Sequence, residues 1–437
     1  MQNPVWKRDT FMAYTLAARI IPPFFMALSI SAVFHVHAAG FSMYETSARN
    51  NAMGGATVGK AFDASTVYAN PANMTQLPGT QALAGVTLIQ PRGRIDTPTD
   101  HTNLDPDWFP PPHAYATWQA ADAWWLGMGV YSEYGLGTKY PSDWSGRYNA
   151  IETTMDTLTL NPNVAYKVTD RLSLATGFRA MYLDFSNTRA IPTPSAGVPL
   201  YGDTLGIMKL NGNSWGFGYD AAASYKITDD LGFGLVYRSR VKQNVEGDVK
   251  FDSTARVPPA PYPAPPSDNR ADAEADLTLP SSATGGLNYQ ATKKLNLGTA
   301  LTWTEWSTYD ALNVDFSDDI LPGVNQSHSE KDWSDVWRAS VGADYALTER
   351  WSLQTSYVYD MCPVSKDHAD FMLPAGDRHI VGLGCGYAWY SWSFNLSYNY
   401  LCMVNNEKTV TINGQPTRVH FENGRAHMVG LSVGKIF

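Results

Sequence analysis

The stretch His427-Met428-Val429-Gly430-Leu431-Ser432-Val433-Gly434-Lys435-Ile436-Phe437 repeats with period two. Val429, Leu431, Val433 and Phe437 fall on one face, while Gly430, Ser432 and Gly434 fall on the other with Met428 and Ile436. Alternation of this kind is a strand with one face suited to lipid, and ending on an aromatic residue it reads as the closing strand of a bacterial outer-membrane β-barrel. Soluble sandwiches also end on strands, so the remainder of the chain has to decide. Lys435 shares the lipid face and is tolerable only near the interface, where its stem can snorkel.

The other end of the chain points the same way. Lys7, Arg8 and Arg19 precede an apolar run from Ile20 to Val36, and His37-Ala38-Ala39-Gly40 follows. That order predicts a signal peptide over residues 1–38 with the mature chain starting Ala39-Gly40-Phe41. The competing reading is a helical anchor, and Pro22-Pro23 interrupts it. Past Gly40 no segment approaches the ~20 apolar residues of a helical span, so a membrane protein built from the rest must be a barrel.

Thirty-five glycines, 13% aromatic residues and a formal charge of -9 fit strands that alternate between lipid and a polar lumen, and the acidic balance argues against a nucleic-acid partner. Cys362, Cys385 and Cys402 are an odd set without metal-site spacing, so at least one stays free.

An internal repeat counts the strands. Tyr166-Lys167-Val168-Thr169-Asp170-Arg171-Leu172 is echoed at 225–231, 289–295 and 345–351, each an aromatic or apolar strand end around a tight polar turn. Weaker copies lie around Ala121-Asp122 and Tyr390-Ser391. The aromatic residues at these turns are expected to form an interfacial girdle. Six short turns on one side, with both chain ends on that side, require fourteen antiparallel strands over residues 81–437. The segments 97–112, 135–150, 187–207, 253–271, 317–331, 362–376 and 403–417 are rich in Pro, Asp, Gly and Ser and are expected to be the external loops. The proline-rich run Val257–Pro266 falls in one of them. Residues 39–80 do not join the pattern, and a fourteen-stranded barrel has a lumen wider than side chains fill. They are expected to be a plug inside it, with a periplasmic extension as the alternative.

Several segments in order carry a resemblance. Ala39-Gly40-Phe41, Asn70-Pro71-Ala72, Ser132-Glu133-Tyr134-Gly135-Leu136, the run Leu210–Gly218, Tyr237-Arg238-Ser239, Trp303-Thr304-Glu305-Trp306-Ser307 and Asp360 followed by Pro363-Val364 resemble the FadL family of outer-membrane transporters. That family includes long-chain fatty acid channels and TodX-like aromatic hydrocarbon channels. The resemblance implies a monomer that passively carries hydrophobic small molecules through a barrel plugged by an N-terminal hatch. Its path runs from an external groove to an interior pocket, and then sideways into outer-membrane lipid through an inward kink of the third strand. It implies that Phe41 is the apolar hatch tip at the pocket, that Asn70, Pro71 and Ala72 form the hatch motif, and that Ser132, Tyr134 and Gly135 lie at the lateral opening. Arg189 falls where fatty acid channels place a carboxylate-binding arginine, and Lys331 is nearest to a second basic residue only through a shifted alignment. Neutral hydrocarbons therefore stay open as ligands.

The sequence contains no Gly-x-Ser-x-Gly elbow, His-Glu-x-x-His pair or phosphate loop, and no cofactor is implied. An enzyme is not expected. A general diffusion porin is the alternative function, and it would lack the N-terminal plug.

Overall fold

The computed structural model describes residues 40–192, 204–252, 270–319, 325–412 and 415–437. The expected signal peptide and the proline-rich run 257–266 lie outside the described residues.

The polypeptide closes into a ring of fourteen antiparallel strands. They are β1 (Thr80–Asp96), β2 (Pro112–Ala121), β3 (Trp124–Tyr131, then Gly135–Lys139), β4 (Glu152–Lys167), β5 (Leu172–Pro192) and β6 (Thr204–Lys226). Next come β7 (Leu231–Arg238, then Val241–Asp252), β8 (Arg270–Leu279, then Ser282–Gln290), β9 (Leu295–Thr304, then Ala311–Phe316) and β10 (Gln326–Glu330, then Val336–Ala346). The ring ends with β11 (Trp351–Asp360), β12 (Arg378–Trp389), β13 (Trp392–Met403, then Asn406–Ile412) and β14 (Gln415–Ile436). The last strand pairs with the first in register from Gln81 against Ile436 to Asp96 against His420, with one shift between Arg92 and Arg94. Pairing of the last strand with the first closes the sheet, which is what a bilayer demands of strands.

The wall inverts the polarity of a soluble sheet. On β4, Thr153, Thr157, Thr159, Asn161 and Asn163 point into the barrel and are buried, whereas Leu158 and Leu160 point out and are exposed. All six short turns fall where the repeat put them, and Trp118, Trp124, Trp351, Trp389 and Trp392 project outward beside them. Lys435 lies over the Trp392 and Phe437 rings at this level, in keeping with an interfacial lysine. Two aromatic residues depart from the expected girdle. Tyr115 and Trp125 turn inward, and Trp125 Nε1 donates to the Leu77 carbonyl at 2.8 Å.

The expected external loops are shorter than their composition suggested. Asn406–Ile412 pairs with β14, Gln326–Glu330 pairs with Ala311–Phe316, and β5 pairs with β6 out to Pro192. Polar, turn-prone residues here sit in ladders that project past the lipid, where a strand can be wet on its faces.

Residues 40–79 fill the lumen. They comprise α1 (Ala48–Ala52), α2 (Thr66–Ala69) and a 3₁₀ turn at Pro71–Gln76. The wall's inward amides and hydroxyls supply the partners that so short a set of helices cannot. Ala48 N–H donates to Ser432 Oγ at 2.9 Å, Asn399 Nδ2 to the Asn51 carbonyl at 2.8 Å, and Asn288 Nδ2 to the Ala56 carbonyl at 3.0 Å. Close approach needs glycine on the wall. A Cβ at Gly298 would stand 2.0 Å from the Ala56 carbonyl oxygen, and one at Gly234 would stand 1.9 Å from that of Val58.

Gly298→Val should therefore undock the hatch without opening the ring. The expected result is rapid tryptic cleavage at Lys60 in a barrel that stays heat-resistant on gels. Protection of Lys60 equal to that of the parent protein would contradict the packing described.

Candidate functional site: a kinked strand, a hatch tip and two cavities

Between Tyr131 and Gly135, β3 leaves the wall. It pairs with β2 as far as His113 against Tyr131, and it rejoins β4 at Gly135 against Asp156. The backbone groups released there are taken up by other partners. Met43 N–H donates to the Glu133 carbonyl at 2.9 Å, and Gly135 N–H donates to the Phe41 carbonyl at 3.0 Å. Thr157 Oγ1 on β4 accepts from Tyr134 N–H at 3.0 Å and donates to the Tyr134 carbonyl at 2.7 Å. The first residues of the hatch thus act as a short strand against the kink, where an unpaired amide in low dielectric would cost several kcal/mol.

This pairing fixes Phe41. Its ring is 7% exposed and meets Trp306, Trp333 and Tyr309 at centroid distances of 4.6, 5.5 and 5.8 Å. Tyr134 stands 6.1 Å away, its hydroxyl donating to the Pro280 carbonyl at 3.1 Å. Two cavities meet at this ring. The larger, of about 540 Å³, is lined by Phe41, Met43, Ser132, Gly135, Leu136 and Phe109, and reaches Leu158 and Tyr182 on the outward face of β4 and β5. The smaller, of about 70 Å³, is lined by Phe41, Leu136, Leu183, Leu277, Leu312 and Trp333 beneath the outer ends of β5 to β9. Phe41, Leu136 and Leu373 line both.

A charged cluster that sequence reading did not single out braces the kink. Glu133 Oε2 accepts from Arg179 Nη2 at 2.5 Å, and Glu133 Oε1 lies 3.5 Å from Arg238 Nε. Arg179 is fully buried and also donates to the Ser239 carbonyl at 3.0 Å. Arg238 donates to the Tyr68 carbonyl in the hatch and lies over the Tyr68 ring at 4.2 Å. Glu133 and Arg238 stand in segments that carry the family resemblance, whereas Arg179 carries no signal beyond being an arginine at an inward strand position.

The remaining expected residues are distributed as follows. Asn70 caps the 3₁₀ turn by accepting from Ala72 N–H at 3.1 Å, and its Nδ2 donates to the Val58 carbonyl at 2.8 Å and to the Ala223 carbonyl on β6 at 3.1 Å. Pro71 occupies the first position of that turn, and Pro71 and Ala72 are buried. The motif sits within the hatch and lines neither cavity. Lys331 Nζ donates to Asp370 Oδ2 at 2.5 Å and to Ser329 Oγ at 2.9 Å, and Asp370 lines the smaller cavity. Arg189 lies near the outer end of β5, opposite Met208, and lines neither cavity. Glu45, in the hatch, and Arg378 line the larger cavity, where burial raises the Glu45 carboxyl above its usual range and Arg378 donates to the Gly40 carbonyl at 2.9 Å.

A ring of strands with its third member folded inward against an N-terminal hatch can be set beside known proteins. The family model described as outer membrane protein transport protein (OMPP1/FadL/TodX) matches residues 29–437. The chain belongs to this family. It is an outer-membrane protein of a family of transport channels, not enzymes. It is 27% identical over 425 residues to the long-chain fatty acid transport protein of Salmonella typhi, covering 91% of this chain and 94% of that one. It is 25% identical to outer membrane protein P1 of Haemophilus influenzae, covering 92% and 96%. The crystal structure of a Pseudomonas aeruginosa FadL homologue superposes with a TM-score of 0.79 at 20% identity, covering 91% of this chain and 99% of the other. That of the Ralstonia pickettii toluene transporter TbuX superposes with a TM-score of 0.67 at 17% identity, covering 93% and 100%. At those identities the structures establish the shared FadL-type fold.

Two predictions follow from the kink and the loop above it. Glu133→Gln strands the buried Arg179 guanidinium and should destabilise the protein by roughly 3–5 kcal/mol, whereas adding Arg179→Met should recover most of the loss. Heat-resistance midpoints in detergent test both, and an additive double variant would rule out the coupling. Asp377, at the base of the loop 361–377, accepts from the Tyr359 hydroxyl at 2.5 Å, and burial pushes its carboxyl from 3.8 up to about 6. The folded state then holds a proton that the unfolded state releases, so stability should fall as pH rises from about 4 to about 6 and level off above. Asp377→Asn should flatten that part of the profile.

Proposed function

We propose that this chain carries hydrophobic compounds passively across the outer membrane, and that they leave sideways into lipid at the kink of β3. The observation that carries the reading is one cavity with Phe41 of the hatch at one end and the lipid-facing Leu158 at the other. A ligand taken up under the outer ends of β5 to β9 occupies the smaller cavity, passes the Phe41 ring and reaches the larger one. It then leaves past Ser132, Gly135 and Phe109. Such a route never exposes the ligand to a water-filled pore, where each CH₂ would cost roughly 0.8 kcal/mol.

The relatives named as fatty acid transporters and the similar structures named as toluene transporters support long-chain acids or aromatic hydrocarbons as the cargo. For an acid, Arg189 and Lys331 are the proposed carboxylate partners. Lys331 would exchange its bond to Asp370 for one to the ligand, and Arg189 has no carboxylate partner among the described residues. A general diffusion porin fits less well, because residues 40–79 occupy the lumen that solutes would need.

The test is uptake of a labelled long-chain fatty acid and of toluene into proteoliposomes. Phe41→Glu should abolish both, since it charges the ring position between the cavities. Gly135→Phe should abolish transport yet leave ligand binding intact, because it fills the passage below the binding cavity. Arg189→Ala and Lys331→Ala should weaken only fatty acid binding, by about ten- to a hundredfold. Normal transport by Gly135→Phe would sink the lateral route and send the ligand through the lumen.

A further inference from the structure

The outer end of the seam between β1 and β14 carries a third, chemically different cleft. It has a volume of about 460 Å³ and is lined by Arg92, Gly93, Arg94, Asn103, Leu104, Pro106, Asn423 and Arg425. Arg92 and Arg425 are direct cross-strand partners, both exposed on the outward face. Like charges directly opposite one another on a sheet repel. The carboxylates of Asp96 and Glu422 serve the third arginine: Arg94 Nη2 donates to Asp96 Oδ2 at 2.7 Å and to Glu422 Oε2 at 2.6 Å, while Asp105 and Asp107, flanking the lining Pro106, make no ion pair with Arg92 or Arg425. Asp96 is further occupied by His101, whose Nδ1 lies 3.0 Å from Asp96 Oδ1. Arg92 donates only to the neutral Gln90, from Nε at 3.3 Å and Nη2 at 3.0 Å, and Arg425 has no ion-pair or hydrogen-bond partner among the described residues. Two guanidinium charges are left facing each other across one cleft.

The height of the cleft says what meets it. Two positions along the strands toward the membrane, Gln90 pairs with His427, whose Nδ1 is hydrogen-bonded at 2.9 Å to the Tyr398 hydroxyl beside Tyr400. Tyr357 and His379 form a similar pair at 2.7 Å. Below these polar-tipped rings the outward side chains turn to Leu88, Val429 and Leu431. The rings mark the outer membrane–water interface. The arginine pair stands roughly 7 Å beyond it, at the level of lipid headgroups.

We infer that the Arg92–Arg425 cleft is a binding site for a phosphate group, of the kind a phosphorylated outer-leaflet lipid presents. A phosphate monoester carries about −1.5 to −2 charges near neutrality and so matches two unpaired guanidinium groups, whereas a carboxylate would neutralise only one. Arginine grips phosphate oxygens in bidentate fashion, and the Asn103 and Asn423 amides line the same cleft. Acyl chains hanging from that phosphate would lie along the apolar face of Leu88, Val429 and Leu431. The cleft adjoins the larger transport cavity, because Arg92, Gly93, Arg94 and Arg425 line both. The test must therefore separate a lipid phosphate from the head of a transported acid.

The full-length barrel and its Arg92→Gln/Arg425→Gln double variant would be placed in nanodiscs containing bisphosphorylated lipid A or the same lipid with both phosphates removed, and retained lipid counted by native mass spectrometry. A parallel arm titrates inorganic phosphate and follows the heat-resistance midpoint in detergent. In phosphate-free detergent the double variant should be at least as heat-resistant as the parent, since a repulsion has been removed. The parent should retain the bisphosphorylated lipid at least about tenfold better than the dephosphorylated one, and the double variant should show no preference. A midpoint raised by inorganic phosphate in the parent alone, without lipid preference, would keep the phosphate site and assign it to free phosphate. Equal retention of both lipids with no phosphate effect, or a preference that survives in the double variant, would overturn the site. So would a double variant whose only loss is fatty acid binding.

Discussion

The pairing of residues 41–43 with residues 133–135 holds the functional half of this molecule together. A membrane barrel can let a strand bend out of its wall only if the backbone groups it releases find other partners, because lipid offers none. Here the partners are the tip of the hatch on one side and the Thr157 hydroxyl on the other. The kink in the third strand and the position of the plug are consequently one structural feature, since the same backbone hydrogen bonds hold both.

The same bond network sets the chemistry between the two cavities. Because Phe41 is held by its own backbone, its ring stands among Trp306, Trp333 and Tyr309 as a partition between two apolar cavities. Glu133 ties this point to the wall through Arg179 and to the body of the hatch through Arg238. A buried ion pair of this kind adds little net stability against an apolar replacement, but removing one partner is costly, which makes it suited to fixing one geometry. The polar interior of the barrel works alike at larger scale. Inward Asn, Ser and Thr side chains hold a hatch whose helices are too short to be stable by themselves.

The periodic features of the chain were legible without a structure. Alternation on β14, six aromatic-flanked turns and a non-conforming stretch before Gln81 were enough for fourteen strands with a plug, because lipid outside and polar contacts inside impose a period-two pattern on each strand. The ordered segments from Phe41 to Pro363 were enough for the family. Where local composition was read as loop, as at 403–417, the reading fell short: Asn406–Ile412 pairs with β14 and buries Val410 and Ile412 on its inner face, two apolar residues too few to show as a strand among polar neighbours.

What the sequence determined by itself is therefore what repeats, the strand number and the membrane face, together with the non-conforming stretch read as a hatch; the kink entered only as what the family resemblance implies. Tertiary structure alone decided which residues meet. Glu133 reaches Arg179 and Arg238, Phe41 stands between two cavities, Asn70 anchors the hatch to β6 and lines neither cavity, and Arg92 faces Arg425 across the closing seam. These contacts join positions tens to hundreds of residues apart, and ring closure and strand register fix them. No local spacing carries either quantity, because a slip of one residue would exchange every inward side chain for an outward one.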